Sequence, residues 1–245
     1  MLDYLILGAI QGIFEWIPVS SEGVVALVSQ FLVRTVNPLE VALFLHLGTL
    51  LAVLIYFRQD WLEVMTFKNK GLFGFLVVAT AISGIIGFFL YKLVENMAVG
   101  STLLILTGFG LLATAYFHKT QKTFDFSFKK LAVLSGILQG LSVIPGLSRS
   151  GATIFGLSLG KLSPGEILKI SYMMSAPAVF FMVIYLFWQN PVLFIQAWPA
   201  LISSFLVGIL SLRVLLKVAY KINFFKFALI FAILCFLGAG INFIL

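Results

Sequence analysis

The sequence predicts an all-α integral membrane protein, with six transmembrane helices and four short re-entrant helices arranged in two inverted-topology repeats. Three observations predict this fold class: the composition, the two lengths of the apolar segments, and a motif that occurs twice. The 245 residues are 61% hydrophobic and 10% charged, whereas about a quarter of a soluble domain is charged. This composition excludes a soluble globule and a disordered chain. The single cysteine, Cys235, excludes a disulfide scaffold.

The apolar segments fall into two length classes. About 20 apolar residues cross a bilayer, whereas runs of about 10 to 14 are typical of re-entrant or buried segments. Six long segments are predicted to be spans, at 38–57, 72–91, 101–117, 167–187, 192–212 and 224–245. Four short segments are joined in pairs by polar turns that contain proline, and they are predicted to be half-depth hairpins, at 2–17, 23–36, 131–144 and 151–159.

Basic residues predict the orientation in the membrane. Short cytoplasmic loops carry an excess of Lys and Arg, and four groups of basic residues share one face if each hairpin enters and leaves by the same side. The groups are Arg58, Lys68 and Lys70; Lys119, Lys122, Lys129 and Lys130; Lys161 and Lys169; and Arg213, Lys217, Lys221 and Lys226. We therefore expect a multi-pass protein of the plasma membrane with both termini outside.

The net charge of +7 does not indicate nucleic-acid binding. A nucleic-acid site needs basic residues clustered on one face of a folded domain. Here they lie in short breaks between apolar segments. We expect the chain to interact with the bilayer and to bind no nucleic acid. The sequence leaves open whether it forms a homodimer.

A two-part motif occurs twice, about 128 residues apart. Residues 8–13 (GAIQGI) and 17–23 (IPVSSEG) are matched by 136–141 (GILQGL) and 144–151 (IPGLSRSG). Three predicted spans separate the copies, so the second copy enters from the opposite face. We expect one membrane domain, 1–245, with repeat 1 at about 1–117, repeat 2 at about 131–245, and a site near the midplane. Ordinary extramembrane loops are the alternative, but they leave Glu15, an acidic residue inside an apolar segment, unexplained.

Hydroxyl, glycine and charged residues in the two turns predict a phosphate site. Backbone N–H groups at the starts of short helices favour phosphate, and Arg149 adds a planar fork that matches phosphate oxygens. The donors expected there are Ser20, Ser21, Ser148, Ser150, Thr153 and the backbone around Gly146. Glu15 and Arg149 could instead form a purely structural ion pair. The sequence leaves that alternative open.

The first turn also predicts a nucleophile and a cation site. A hydroxyl beside a carboxylate indicates a nucleophile with its base, which makes Ser20 and Ser21 candidates with Glu15 and Glu22 as partners. Gln11 and Glu15 lie four residues apart, on one face of a helix. Their oxygens suit a hard divalent cation such as Mg²⁺ or Ca²⁺, provided that substrate phosphates complete the shell.

Two further features receive structural interpretations. His46 is interpreted as a hydrogen-bonded packing residue, because no acidic residue lies within a helical turn of it. The pairs Gly8/Gly12 and Gly136/Gly140 have the spacing that lets membrane helices approach closely.

These stretches resemble the undecaprenyl pyrophosphate phosphatase family, the membrane phosphatases linked to bacitracin resistance. The matching segments are 11–15 (QGIFE), 18–21 (PVSS), 45–49 (LHLGT) and 145–153 (PGLSRSGAT). The last fits the family's Pro-Gly-x-Ser-Arg-Ser-x-x-Thr signature at every fixed position. The resemblance covers nearly the whole chain, and it implies hydrolysis of a polyprenyl diphosphate to the monophosphate carrier lipid, with inorganic phosphate released at the outer face.

The resemblance also implies a role for individual residues. Glu15 and Gln11 are similar to the acidic, metal-associated pair, Ser21 to the proposed nucleophile and Arg149 to the clamp on the departing phosphoryl group. The residues expected to bind substrate are Gln11, Ser20, Glu22, Gly146, Ser148, Ser150 and Thr153. One departure stands out: where the family usually has a histidine, this chain has Val24.

Two functions from different classes therefore stay open. A phosphatase explains a serine beside a buried carboxylate. A transporter that binds the same lipid headgroup without cleaving it would also use inverted repeats and a midplane anion site, and the absent histidine favours it. A purely structural membrane subunit leaves both charged turns unexplained.

Overall fold

The computed structural model describes residues 1–18, 20–33, 37–94, 101–120, 124–144, 147–221 and 223–244. Within these ranges the chain forms twelve helices and no strand, which confirms the all-helical class. The helices are α1 (Leu2–Phe14), α2 (Ser21–Leu32), α3 (Pro38–Tyr56), α4 (Arg58–Met65), α5 (Lys70–Val94), α6 (Ser101–Thr120), α7 (Phe128–Leu141), α8 (Arg149–Ser158), α9 (Pro164–Gln189), α10 (Pro191–Gln196), α11 (Trp198–Lys221) and α12 (Phe224–Ile244).

Several of these helices are candidate membrane spans. In the described part of the chain, three are long and apolar enough to cross a bilayer: Lys70–Leu93 of α5, Pro164–Gln189 of α9 and Trp198–Ala219 of α11. A fourth candidate consists of Glu40–Tyr56 of α3 and Arg58–Met65 of α4, which are bent by 80° relative to each other. The described part of the chain is therefore helical and contains three or four candidate spans.

Two boundaries predicted from the apolar segments are wrong. The segment 192–212 was expected to be one span, but it is divided between α10 and α11. Pro199 lies in the first turn of α11, where proline is tolerated because its missing N–H needs no partner there. The connection after α3 was expected to be a loop, yet it contains α4. Asp60 lies in the first turn of that helix, where an acidic residue is favourable.

Glycines let the short helices α1 and α7 lie close to the longer helices α11 and α5. A methyl group on Gly12 would come within 2.7 Å of the backbone nitrogen of Gly208 in α11, and one on Gly136 within 2.8 Å of the carbonyl oxygen of Ala79 in α5. Real side-chain carbons do not approach backbone atoms so closely, so neither site has room for alanine. The close helix approach predicted from the glycine spacing is confirmed.

The two halves of the chain pack in the same way. Helix α1 contacts α2 and α11, and α7 correspondingly contacts α8 and α5. Helix α2 contacts α3 as α8 contacts α9, and α6 packs along α12. Each short hairpin is thus held by a long helix from the other half of the chain.

Connections that carry basic residues meet at one end of the helices. Three contacts join them: Lys169 with Asp60 at 2.9 Å, Lys161 with Asp125 at 2.9 Å, and the Lys119 ammonium 5.4 Å from the centre of the Phe225 ring. The hydrogen bond and the charge of Lys161 lower the pKa of the exposed Asp125 carboxyl. The grouping of basic residues expected from the sequence is therefore present for these connections.

Candidate active site

The site is built on the turn that follows α1. Residues 15–18 leave the helix inside the protein, where buried backbone groups are costly unless hydrogen bonds satisfy them. Three successive carbonyl oxygens accept hydrogen bonds from three other helices: Trp16 from the Tyr172 hydroxyl at 3.1 Å, Ile17 from the Ser150 hydroxyl at 3.3 Å, and Pro18 from the Cys235 thiol at 3.4 Å. The turn is thus fixed from several sides.

The Glu15 carboxylate is the centre of the site, and its side chain is 2% exposed. Its Oε1 atom forms an ion pair with Nη2 of Arg149. Its Oε2 atom accepts a hydrogen bond from Nε2 of Gln11 at 2.7 Å and one from the Ser21 hydroxyl at 3.4 Å. Nε2 of His46 lies 3.2 Å from the same oxygen. The structure therefore brings together the carboxylate, the hydroxyl and the guanidinium that the sequence singled out.

Arg149 is positioned at the first residue of α8. Besides Glu15, its guanidinium donates from Nη1 to the carbonyl oxygen of Ser171 at 3.3 Å. Thr153, one turn later, donates its hydroxyl to the Arg149 carbonyl oxygen at 3.0 Å and lies 2.7 Å from the hydroxyl of Ser171. An arginine has five N–H donors, so further donors remain for a ligand.

The first turns of α2 and α8 meet at a small cavity of about 20 Å³. The Ser20 hydroxyl caps α2 by accepting from the Gly23 N–H at 3.3 Å, and the Ser148 hydroxyl caps α8 by accepting from the Gly151 N–H at 3.2 Å. The cavity is lined by Glu15, Ser20, Ser21, Glu22, His46, Leu147, Ser148, Arg149 and Ser150. Two helix N-termini and several hydroxyls at one point form a site suited to an anion.

Two of the residues expected to bind substrate lie elsewhere. Gln11 is fully buried behind Glu15, and Thr153 is fully buried behind Arg149. Neither lines the small cavity, so in this structure they support the groups that do. Gly146 lies outside the described residues.

The predicted cation ligands are only partly suited to a divalent ion. The Oε1 atom of Gln11 is buried and has no hydrogen-bond partner among the described residues, so it could accept a ligand. Both oxygens of Glu15, however, already contact Arg149 or His46. In the described part of the chain, no three His, Cys, Asp or Glu side chains are grouped as metal ligands. In this arrangement, Gln11 and Glu15 do not fit a divalent cation. The cation itself stays a prediction.

A larger cavity of about 560 Å³ adjoins the small one. Glu22, His46 and Arg149 line both, so the polar site opens directly onto the larger space. Most of the larger cavity is apolar, with Leu43, Ile85, Phe88, Phe181, Met182 and Tyr185 among its lining residues. It has the character of a site for a hydrocarbon chain.

Comparison with known proteins assigns the family. A family model described as bacitracin resistance protein BacA matches residues 4–237. The chain belongs to the BacA family. Similar proteins named undecaprenyl-diphosphatase include one from Methanothrix thermoacetophila, 36% identical over 239 residues and 93% of each chain. Others are from Methanococcoides burtonii, 33% identical over 93% of this chain and 94% of the relative, and from Sulfurisphaera tokodaii, 31% identical over 92% of each. The resemblance inferred from the motifs is confirmed.

In this BacA-family chain, His46 is the site residue that the sequence interpretation missed. The reason for regarding it as a packing residue was the lack of an acidic neighbour on its own helix. The structure brings two carboxylates from outside α3, with Nε2 of His46 3.2 Å from Glu15 and 4.0 Å from Oε1 of Glu22. The signal that could have found it is the segment 45–49, which is part of the family resemblance.

Proposed function

We propose that this chain is a polyprenyl (undecaprenyl) diphosphate phosphatase, which releases inorganic phosphate and leaves the monophosphate carrier lipid. The observation that carries the proposal is the contact of Glu15 with both Ser21 and Arg149, at the point where two helices begin. Its relatives that are named undecaprenyl-diphosphatase support the same substrate.

The two cavities match the two parts of such a lipid. The diphosphate lies where α2 and α8 begin, because backbone N–H groups and hydroxyls converge there. The prenyl chain lies in the apolar cavity of about 560 Å³. Because Glu22, His46 and Arg149 border both spaces, the scissile bond sits beside Ser21 when the tail occupies the larger one.

Binding of the headgroup requires Arg149 to change partners. A cavity of about 20 Å³ has room for roughly one water molecule, so phosphate oxygens enter only when the guanidinium turns from Glu15 towards them. Arginine pairs with phosphate through parallel N–H bonds. Substrate thereby replaces Glu15 as the anionic partner of Arg149, while Oε2 of Glu15 keeps its hydrogen bond from the Ser21 hydroxyl.

The chemical step uses groups already in contact. The Ser21 oxygen attacks the terminal phosphorus while Oε2 of Glu15 accepts the hydroxyl proton. The bond between the terminal phosphorus and the bridging oxygen breaks, and the prenyl monophosphate leaves. Water then cleaves the phosphoserine and releases phosphate; a water attacking directly, with Glu15 as its base, is the variant that omits this intermediate. Arg149 stabilises the charge spread over the transferred group.

The proposed membrane arrangement is six spans and four re-entrant helices in two inverted repeats, about 1–117 and 131–245, with both termini outside. The equivalent packing of α1 and α7 against α11 and α5 supports the repeat. Basic connections that meet at one end of the helices support the orientation. The active site then opens to the outer face.

A lipid-phosphate transporter is the second candidate, because Val24 stands where the family usually has a histidine. One experiment separates the two functions: phosphate release from a long-chain prenyl diphosphate by purified protein, with Ser21→Ala, Glu15→Ala and Arg149→Ala as variants. The phosphatase predicts turnover that all three variants lose. The transporter predicts no turnover in the wild type and headgroup binding that Arg149→Ala abolishes. Parallel assays with Mg²⁺ and with a chelator test the predicted cation.

A further inference from the structure

His46 is held at both ring nitrogens. Nδ1 lies 2.7 Å from the carbonyl oxygen of Ala42, on its own helix, and Nε2 lies 3.2 Å from Oε2 of Glu15. Carbonyl and carboxylate oxygens accept hydrogen bonds, so both ring nitrogens act as donors. The imidazole is 6% exposed and borders both cavities. Its ring plane is therefore fixed by a backbone atom that does not depend on substrate.

Glu15 needs such a fixed partner more than its other contacts suggest. The terminal torsion of a glutamate is broad, so the direction of its oxygens is set by hydrogen bonds rather than by rotamer preference. Arg149, its ion-pair partner, turns to the phosphate when the headgroup enters. Ser21 gives up its hydroxyl proton during attack. Gln11 holds Oε2 of Glu15 from the buried side, at 2.7 Å. At the mouth of the cavity, His46 keeps its contact with the same atom throughout the reaction.

We propose that His46 is a positioning residue for this reaction: it holds Oε2 of Glu15 against the Ser21 hydroxyl. Val24, which stands where the family usually has a histidine, has no polar side-chain atom for this role. The inference rests on the proposed phosphatase function. It assigns His46 no bond to the transferred phosphoryl group: the side-chain contacts of His46 are with Glu15, Glu22 and Ala42, so it acts through Oε2 of Glu15. The role is geometric, and a different donor at the same place would fill it.

Two conservative substitutions each retain one of the two ring nitrogens. In His46→Gln the amide nitrogen lies as many bonds from the backbone as Nε2, so the donor to Glu15 is kept. In His46→Asn the amide nitrogen replaces Nδ1, so the donor to Ala42 is kept and the one to Glu15 is lost. Thr49→Val is the matched control, because Thr49 is buried one turn along α3 and, among the described residues, its hydroxyl bonds the His46 carbonyl oxygen alone, at 3.1 Å.

The experiment measures kcat and KM for a long-chain prenyl diphosphate, together with thermal unfolding in the same detergent. Partners that orient the ligands of a metal site are worth about 10- to 100-fold in activity. By analogy, we expect His46→Asn, which removes a partner that orients Glu15, to lose about that much kcat with KM unchanged. His46→Gln should retain kcat within about threefold, because it keeps a donor to Glu15, and Thr49→Val should do the same, because the Thr49 hydroxyl does not contact the carboxylate. All variants should unfold at temperatures close to the wild type.

Each other outcome overturns the inference. Equal kcat in His46→Asn and wild type would mean that Glu15 needs no such partner. Equal loss in His46→Gln and His46→Asn would mean that the imidazole itself is required, and a rise in KM alone would make His46 a substrate ligand. A loss of activity that follows the unfolding temperature would leave only a packing role. If the wild type releases no phosphate, the proposed function fails as well, whereas every preceding outcome leaves it standing.

Discussion

A double-mutant cycle on Glu15 and Arg149 separates a structural from a catalytic role of their ion pair. The perturbations are Glu15→Gln, Arg149→Met and the two combined. The side chains of Glu15 and Arg149 are 2% and 17% exposed, and removing one partner of a buried pair costs about 3–5 kcal/mol. Arg149→Met belongs at the lower end, about 3 kcal/mol, because the carboxylate keeps the hydrogen bonds of Gln11 and Ser21 and the contact with His46.

The other two corners of the cycle depend on His46 as well. Glu15→Gln should cost at least as much as Arg149→Met, because it removes the carboxylate that both Arg149 and His46 contact. The double variant should recover most of the stability lost in Glu15→Gln, since Arg149 then leaves no uncompensated charge and Glu22 remains 4.0 Å from His46. Thermal unfolding in detergent measures the stability of all four proteins. A loss of about 3 kcal/mol in unfolding free energy lowers the unfolding temperature by roughly 6–12 °C for a chain of this size.

Turnover should follow a different pattern from stability. An arginine that stabilises a transferring phosphoryl group contributes about 10³–10⁵ in kcat, so Arg149→Met should lose at least about 10³-fold. The double variant should recover stability and none of the turnover. If phosphate release returned together with stability, the pair would be structural, and the assignment of Arg149 to the phosphoryl group would be refuted.

Three further predictions concern the scaffold and the nucleophile. Gly12→Ala forces a methyl group to within 2.7 Å of the α11 backbone and should cost about 1–3 kcal/mol of unfolding free energy, whereas Gly74→Ala, with nothing within 4 Å, should not destabilise the protein. Ser21→Ala should lower kcat by about 10³-fold or more, while Ser20→Ala should mainly cost about 1 kcal/mol of stability through loss of the α2 cap; equal kcat losses would remove Ser21 as the nucleophile. Val24→His should raise kcat about tenfold or more without changing KM if a second proton carrier is limiting, and unchanged or lower kcat would mean that the site uses another base.

Much of the site could be predicted because its parts lie within a few residues of one another. The spacing of Gln11 and Glu15 places them on one helix face, and Ser21 follows six residues after Glu15. Arg149 lies 134 residues from Glu15, and the repeated motif is what links them. Contacts between distant residues that no repeated motif links could not be predicted from the sequence. His46 meets Glu15 because α3 packs beside α1 and α2, and the periodicity of α3 gives no sign of that neighbour.

The fold was predictable to the same degree and for related reasons. Apolar length identified the helical segments, and glycine spacing identified the faces of α1 and α7 that lie against longer helices. Length and apolarity could not locate the break between α10 and α11, because both sides of the break are apolar. Nor could they find α4, since a short polar helix has the composition of a loop.

The two helix starts explain why one repeat alone could not form this site. Ser20 and Ser148 are equivalent caps, and the residue after each is the first of its helix: Ser21 in α2 and Arg149 in α8. Equivalent positions of the two repeats thus present a hydroxyl and a guanidinium to one cavity. Further back, Gln11 donates to Glu15, whereas its counterpart Gln139 donates to Ser83. The repeated backbone brings two helix N-termini together. In the proposed mechanism, the differences between the copies then divide attack and charge stabilisation between them.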